Sequence, residues 1–506
     1  METSKILLVK PHPPQEILKQ QCPVPEKEKY FWEPISLKLA AKKIGEAFHD
    51  SVEVEIWHLM SNKDDWDFLE RIADTDPLFV IFTEIDILVN EVNALAQKIK
   101  NISKDICTIV GGKQTSLLRK GDRYPFHHID YAIRGDGLQS LIKLIKLKQK
   151  GEAINEIEGL VRVTDSGIVA GKDDFSPREM CFDFDLTELH SMVVVNHSFA
   201  EYLDIYHNHP SILPGKVRTS PLFIGTGCVR NCSFCQSSVE YTNGNGRRAI
   251  FASPKAVARE IEWLHKEYNV KNFFSLEPNM NLDNLLEVYI ELEKCGIDTI
   301  PISGFIRAGD ILLYKKNGIL EKLRDKGVRV LSIGLDFPFN SKEDIYSKDY
   351  MFDEMMKSLD ISEEMGILVL GTVFASSYVE QEDLRNLLDK VKSLPLAEVD
   401  VRFAIALRNT QYFKEVENFL VYHPDFDQRY FDHQNYRYQT IQYPGKITPE
   451  ESYRQVNAFY NAFLFSKRHL EYVSRMVNSH PDTKPFFRRQ YQESKGWTKT
   501  GDPFCR

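Results

Sequence analysis

The chain has 506 residues, of which 42% are apolar and 27% are charged, and its formal net charge is −9 at pH 7. One hydrophobic core does not grow to this length, so two or three domains are expected. The acidic balance argues against a general nucleic-acid binder, which needs a basic surface. The apolar runs are shorter than the roughly 20 residues that cross a bilayer, and the amino terminus has no signal-peptide pattern. We therefore expect a cytoplasmic protein that contacts neither nucleic acid nor a membrane.

The first 140 residues alternate short apolar runs with helix-like stretches, which predicts a doubly wound parallel sheet. The strand candidates are residues 5–9, 52–57, 78–83, 107–112 and 130–135. Such a sheet binds ligands at the carboxyl ends of its strands, where glycines let a ligand approach the backbone closely. The residues at those ends are Thr83, Gly111, Gly112, Gly135 and Gly137. A dinucleotide fingerprint is absent from the sequence, so a nucleotide site is not expected.

A second alternation begins at Ser220, after the hairpin pattern "GLVRVTDSGIVAG" and a polar connector. Its six strand–helix units predict a partial or complete (β/α) barrel. The strand candidates are residues 221–226, 272–277, 299–305, 328–336, 367–375 and 398–407. The last hundred residues are rich in aromatic residues and are predicted to be mainly helical. The predicted division is residues 1–150, 151–219, 220–410 and 411–506.

The stretch "GCVRNCSFCQ", residues 227–236, holds three of the eight cysteines at C-x3-C-x2-C spacing. Three thiolates can bind zinc or three irons of a [4Fe–4S] cluster. A structural zinc site wants a fourth ligand, and neither a second C-x2-C pair nor an H-x3-5-H pair lies nearby. A cluster held by three cysteines leaves one iron open to a ligand. The stretch follows the first strand of the predicted barrel, on the face that carries catalysis in barrels.

"CVRNCSFC" resembles the cluster motif of the radical S-adenosylmethionine superfamily. The N-terminal segments "KILLVKP", "SLKLAA", "TIVGGKQTS" and "DYAIRGDGLQSL" resemble the cobalamin-binding domain that precedes such barrels in one group of these enzymes. The two resemblances cover roughly residues 5 to 410. They imply three cofactors: a [4Fe–4S] cluster, S-adenosylmethionine and cobalamin. The Asp-x-His-x-x-Gly stretch of methionine-synthase-type cobalamin domains is absent, as it is in many radical enzymes of this architecture.

The resemblance assigns roles to individual residues. The cluster ligands are Cys228, Cys232 and Cys235. Phe234 is expected beside the adenine of S-adenosylmethionine, Glu277 near the methionyl amino group, and Arg307 near the methionyl carboxylate, which Arg binds bidentately.

Asp336 is expected near the ribose, and Thr83 with the four glycines named above near cobalamin. The structural alternatives are a core aromatic at Phe234, a charged strand end at Glu277, a surface ion pair at Arg307 and tight turns at the glycines.

The implied activity is methylation of an unactivated carbon or a phosphorus in a small molecule or peptide. Methylcobalamin would donate the methyl group after a 5′-deoxyadenosyl radical has abstracted a substrate hydrogen, and an external donor such as flavodoxin or ferredoxin would supply electrons. The alternatives are a radical cyclase, ring-contraction or rearrangement enzyme, and a non-catalytic iron–sulfur electron carrier. An RNA methylthiolating enzyme is less favoured, because a second cysteine triplet is absent. The region 411–506 is expected to form a cap that selects the substrate.

Overall fold

The structure is a computed structural model in which two parallel sheets follow one another along the chain. It describes residues 3–12, 33–84, 88–117, 126–135, 137–154, 157–164, 167–170, 185–205, 211–215, 217–230, 232–237, 249–335, 352–375, 381–403, 406–421 and 441–490. In the described part of the chain, no helix is long and apolar enough to cross a membrane.

The N-terminal sheet has seven strands in the order β2-β1-β3-β4-β5-β6-β7, and its first five strands are parallel. The strands are β1 (Ser4–Lys10), β2 (Val52–His58), β3 (Phe79–Glu84), β4 (Cys107–Gly112), β5 (Tyr131–Ile133), β6 (Leu160–Thr164) and β7 (Gly167–Ala170). The helices are α1 (Ile35–Phe48), α2 (Asn62–Thr75), α3 (Val89–Ile102), α4 (Lys113–Leu117) and α5 (Leu138–Gln149). This confirms the doubly wound prediction. Parallel strands covered on both faces are apolar throughout, as the fully buried run Ile6 to Val9 illustrates.

The predicted hairpin forms as β6 and β7, which pair antiparallel to each other. Strand β6 also pairs antiparallel with β5, so the hairpin extends the N-terminal sheet. The turn residues 165 and 166 lie outside the described residues.

Two short helices follow in the connector, α6 (Leu186–Ser191) and α7 (Phe199–Ile205), and α6 lies between α1 and the barrel. A buried charge cluster joins these elements. His190 of α6 lies with Nδ1 2.6 Å from Glu33 Oε2 and Nε2 2.9 Å from Glu260 Oε1. Lys38 of α1 donates to Glu33 Oε1 at 2.5 Å and to the His190 carbonyl oxygen at 3.0 Å. The two halves of the chain are thus joined by hydrogen-bonded charges at positions withdrawn from water.

The barrel sheet has six parallel strands in the order β15-β14-β13-β12-β11-β8, which confirms the partial-barrel prediction. These are β8 (Thr219–Leu222), β11 (Asn272–Ser275), β12 (Ile302–Ile306), β13 (Val330–Leu335), β14 (Leu368–Ala375) and β15 (Glu398–Phe403). Two further short strands, β9 (Gly225–Thr226) and β10 (Ile250–Phe251), pair antiparallel beside it.

The barrel helices pack outside the sheet around one large hydrophobic core. They are α8 (Pro254–Tyr268), α9 (Leu282–Lys294), α10 (Ala308–Lys316), α11 (Ile319–Lys326), α12 (Phe352–Glu364) and α13 (Gln381–Lys392). Helix α8 begins after Ser253, because the Ser253 side chain accepts the Ala256 backbone N–H and Pro254 occupies the first turn.

The C-terminal region contains α14 (Gln411–Val416), α15 (Pro449–Phe463) and α16 (Lys467–Ser479). From α15, the Tyr460 hydroxyl bonds the backbone of Val401 on the edge strand β15. Tyr472 of α16 packs with Val330 and Leu368 at the first residues of two barrel strands. These helices therefore cover one sheet edge and the amino end of the barrel.

Candidate active site

The cysteine loop begins after β8 and is closed at its base by the pairing of β9 with β10. Gly225 makes this closure possible, because a Cβ at this position would lie 2.6 Å from Phe251 Cδ1 and 2.8 Å from the Ile250 carbonyl oxygen. Gly227 follows with φ +88°, a backbone conformation that favours glycine. The sequence thus directs the chain out of the first barrel strand and returns it at the start of α8.

The three cysteines of the loop are all half-buried. Cys235 donates its backbone N–H to the Cys232 carbonyl oxygen at 3.1 Å, which makes a tight turn between the second and third thiols. Among the described residues, no group of three or more His, Cys, Asp or Glu side chains is already arranged as a metal site. The donor set itself fits an iron–sulfur cluster, since it consists of three soft thiol ligands on one short loop.

Phe234, between these thiols, packs against the barrel wall and the C-terminal region. Its ring centroid lies 5.0 Å from that of Phe374 on β14. It also borders a hydrophobic cluster that includes Tyr412 and Phe413 of α14. The Ser233 carbonyl oxygen accepts the Tyr412 backbone N–H at 3.1 Å. The cysteine loop is therefore supported from a segment about 180 residues further along the chain, a contact the sequence pattern did not indicate.

Glu277 lies two residues after β11 and is 3% exposed. Burial raises the pKa of Glu277 to about 8, although the Ser275 side chain and the Asn281 backbone N–H act in the opposite direction. Its Oε1 atom has no hydrogen-bond partner among the described residues. A buried carboxyl oxygen without a hydrogen-bond donor costs free energy. The Oε1 atom of Glu277 is therefore available to accept a hydrogen bond from a ligand.

Arg307 is half-buried at the start of α10, directly after β12. Its backbone N–H donates to Asn279 Oδ1 at 3.0 Å, and Asn279 Nδ2 donates to Asp310 Oδ2 at 2.9 Å. Asp310 also lies 3.5 Å from Nη2 of Arg230, which stands between the first two cysteines. These contacts connect the cysteine loop to the carboxyl ends of β11 and β12. The sequence analysis assigned no role to Arg230, Asn279 or Asp310. Of these three, Arg230 alone had a signal in the sequence, namely its position inside the cysteine motif.

Asp336, the residue after β13, lies outside the described residues, so its role near the ribose stays a prediction. Of the other residues assigned to S-adenosylmethionine, Arg307 follows β12, the strand adjacent to β13, and Glu277 follows β11, one strand further along the sheet.

The residues predicted to line cobalamin meet at one edge of the N-terminal sheet, at the ends of β3, β4 and β5. Thr83 and Gly111 are register partners on adjacent strands. Ser116 of α4 ties the next two ends together, because its Oγ donates to the Gly112 carbonyl oxygen at 2.8 Å and accepts the Gly135 backbone N–H at 3.1 Å.

The φ angles of the last three glycines are positive, at 149°, 79° and 74° for Gly112, Gly135 and Gly137. A Cβ on Gly137 would lie 3.0 Å from Ile133 Cγ2. The edge is therefore built from backbone with few side chains, which fits the close approach of a large flat ligand. The alternative interpretation of these glycines, as tight turns without a ligand, agrees equally well with these φ angles.

The comparisons with known proteins agree with this architecture. Residues 222–391 match the model of the Radical SAM superfamily. An anaerobic magnesium-protoporphyrin IX monomethyl ester cyclase of Rubrivivax gelatinosus is 24% identical over 445 residues, which are 83% of this chain and 70% of the cyclase. An uncharacterized methyltransferase of Pyrococcus horikoshii is 24% identical over 234 residues, 46% of this chain and 47% of that protein.

Two solved structures have a similar fold. The radical S-adenosylmethionine methyltransferase TsrM from Kitasatospora setae, with cobalamin and a [4Fe–4S] cluster bound, aligns with a TM-score of 0.59 at 16% identity, over 90% of this chain and 88% of TsrM. The cobalamin-dependent S-adenosylmethionine radical enzyme OxsB aligns with a TM-score of 0.55 at 13% identity, over 85% of this chain and 56% of OxsB. Residues 222–391 therefore match the radical S-adenosylmethionine superfamily, and the chain has a fold similar to that of these two solved structures.

Proposed function

We propose that this protein is a cobalamin-dependent radical S-adenosylmethionine enzyme that methylates an unactivated carbon or a phosphorus of a small molecule or peptide. The observation that carries the proposal is the three-cysteine loop at the carboxyl end of the first barrel strand, closed at its base by β9 and β10. A loop in this position presents its thiols to the face on which barrels carry out chemistry.

Cys228, Cys232 and Cys235 would hold the cluster. When bound, the cluster and S-adenosylmethionine supply an electron and a 5′-deoxyadenosyl radical, and cobalamin supplies a methyl group. Phe234 would cover the adenine, and its own position is fixed by Phe374.

Glu277 would accept hydrogen bonds from the methionyl amino group on its unpartnered Oε1. Arg307 would bind the methionyl carboxylate, with its backbone anchored by Asn279. Asp336 is proposed for the ribose. The contacts of Asp310 with Arg230 and Asn279 connect Arg307 to the cysteine loop.

At the N-terminal sheet, Thr83 and the glycines at the ends of β4 and β5 would border cobalamin. Their proximity across adjacent parallel strands supports this assignment, and the cobalamin-bound TsrM and OxsB structures of similar fold support it as well. We further propose the domain division predicted above, a small-molecule or peptide substrate, and an external electron donor such as flavodoxin or ferredoxin.

A radical cyclase is the second candidate. The cyclase of Rubrivivax gelatinosus covers 83% of this chain, and a second cyclase, from Synechocystis, matches 42% of it at 24% identity. Cyclisation and methylation share the cofactor-binding parts and differ in what becomes of the substrate radical.

The test is anaerobic reconstitution with iron, sulfide and hydroxocobalamin, followed by measurement of metals per chain. We expect about four irons and one cobalt per chain, with loss of iron in Cys232→Ser. The matched control is Cys295→Ser, a half-buried cysteine outside the loop, which should keep its iron. Zinc in place of iron would refute the proposal, and iron without cobalt would refute its cobalamin part.

Incubation with S-adenosylmethionine carrying a deuterated methyl group separates the two candidates. Formation of deuterated methylcobalamin and S-adenosylhomocysteine supports methyl transfer. Formation of 5′-deoxyadenosine alone favours the cyclase.

A further inference from the structure

Residues 406–413, which we call the strap, follow the last barrel strand and contact both halves of the chain. At its first end, Leu407 packs into the core of the N-terminal sheet, in the same cluster as Leu117. The Asn409 side-chain amide donates to the Leu117 carbonyl oxygen. The strap thus reaches the N-terminal domain through the apolar side chain of Leu407 and the hydrogen bond of Asn409, across nearly 300 residues of sequence.

The second end of the strap holds the cysteine loop. The Tyr412 backbone N–H donates to the Ser233 carbonyl oxygen at 3.1 Å. Tyr412 and Phe413 lie in the hydrophobic cluster that contacts Phe234. Since Ser233 directly follows one cluster cysteine and precedes the next by two positions, a shift of this end would move the thiols.

The strap has a fixed internal conformation. Thr410 is fully buried, and its Oγ1 donates to the Leu407 carbonyl oxygen at 2.6 Å while accepting the Phe413 backbone N–H at 3.1 Å. Asn409 has φ +63°, a left-handed conformation that Asn tolerates better than most residues. A tight turn followed by a capped helix transmits displacement because few of its torsions are free.

The attachment point in the N-terminal domain adjoins the proposed cobalamin edge. Leu117 ends α4, and its neighbour Ser116 bonds both Gly112 and Gly135. The chain of contacts therefore runs from the glycine edge through α4 and the strap to the cysteine loop.

We propose that the strap is a positioning element that sets the separation and orientation of cobalamin relative to the iron–sulfur cluster. This inference rests on the proposed function. Two cofactors that act on one substrate must be held in a narrow range of geometries, because small misplacements cost much of the rate. Nothing in the strap needs to touch either cofactor for this role.

The test uses the reduced holoprotein, in which cob(II)alamin and the reduced cluster are both paramagnetic. The cluster accelerates the spin relaxation of cob(II)alamin in a distance-dependent way, so the microwave power that half-saturates the cobalamin signal reports their separation. Asn409→Gly keeps the left-handed backbone and removes the donor to Leu117. The matched control is Asn269→Gly, an exposed Asn at φ +56° that ends α8. Leu407→Ala is the second variant and removes the apolar anchor.

We expect both strap variants to bind iron and cobalt like the wild type but to lose part of the relaxation enhancement, while the control keeps it. Unchanged relaxation in both variants would overturn the proposal, and so would loss of either cofactor from Asn409→Gly, because the strap would then be part of a binding site. Absence of cobalt from the wild type would instead refute the proposed function. These results do not depend on knowing the substrate.

Discussion

The buried carboxyl group of Glu277 makes stability depend on pH in a way that one substitution removes. Its pKa is raised from the ordinary value of 4.5 to about 8 in the folded chain. Between these values the folded state binds more protons than the unfolded state, so the free energy of unfolding falls as pH rises. At about 1.4 kcal/mol per pH unit, the loss reaches about 3 kcal/mol at pH 7. Glu277→Gln keeps the size of the side chain but replaces the carboxyl group by an amide, which does not titrate.

We therefore expect Glu277→Gln to be more stable than the wild type at pH 7 and nearly equal to it at pH 4.5. Urea denaturation of the cofactor-free protein from pH 4.5 to pH 8 measures this difference. The exposed Glu287 on α9 provides the control, since Glu287→Gln should follow the wild type at every pH. Parallel loss of stability in Glu277→Gln and the wild type would show that the raised pKa, and the reasoning built on it, is wrong.

The same substitution should weaken the binding of S-adenosylmethionine while it stabilises the free protein. A hydrogen bond to a charged group contributes about 1.5–3 kcal/mol, which corresponds to a loss of affinity of roughly tenfold to a hundredfold. Equilibrium binding to the cluster-loaded protein measures it. A variant that is more stable and binds as tightly as the wild type would contradict the assignment of Glu277 to the ligand.

Two further predictions concern the closure of the cysteine loop and the buried charge cluster. Gly225→Ala should force β9 and β10 apart, so the reconstituted protein should contain less iron. The control is Gly309→Ala, where an added Cβ meets nothing within 4 Å, and it should bind iron normally. Equal iron contents in the two variants would refute the role of the closure. Burial would lower the pKa of His190, but the carboxylates of Glu33 and Glu260 raise it to about 9. The stabilising contribution of His190 should therefore be complete below about pH 6.5 and be lost as pH rises through about 9. Thermal denaturation of the wild type and of His190→Gln across this pH range measures the loss. If the melting temperature of His190→Gln falls as much as that of the wild type, the expectation is wrong.

Much of the fold follows from local signals in the sequence. The run 107–112 is mostly apolar because helices cover both faces of the strand. This run and the mostly apolar run 367–375 of the barrel both appear as strands at nearly the predicted bounds. The spacing of the cysteines is also local, so the loop could be recognised without any knowledge of its surroundings. The exception is the first barrel strand, predicted at 221–226, which is interrupted after Leu222 so that Gly225 can pair with β10.

The contacts that the sequence did not reveal are the ones that join distant segments. Asn409 meets Leu117 and Tyr412 meets Ser233 only because both sheets are already formed. Periodicity records which face of an element is buried, but it does not record which element covers that face. The charge cluster around His190 was missed for the same reason, since its members come from three separate parts of the chain.

The placement of the C-terminal helices bears on where a substrate can enter. At the amino end of the barrel, Tyr472 packs on Val330 and Leu368, and Phe486 lies in the same cluster. At the open edge, Tyr460 bonds the backbone of β15. The described part of the C-terminal region thus covers the amino end and one edge, whereas the strap and α14 lie beside the cysteine loop at the carboxyl end. If the region 411–506 selects the substrate, as predicted, then α14 is better placed to do so than α15 and α16 among the described helices, because α14 lies next to the cysteine loop.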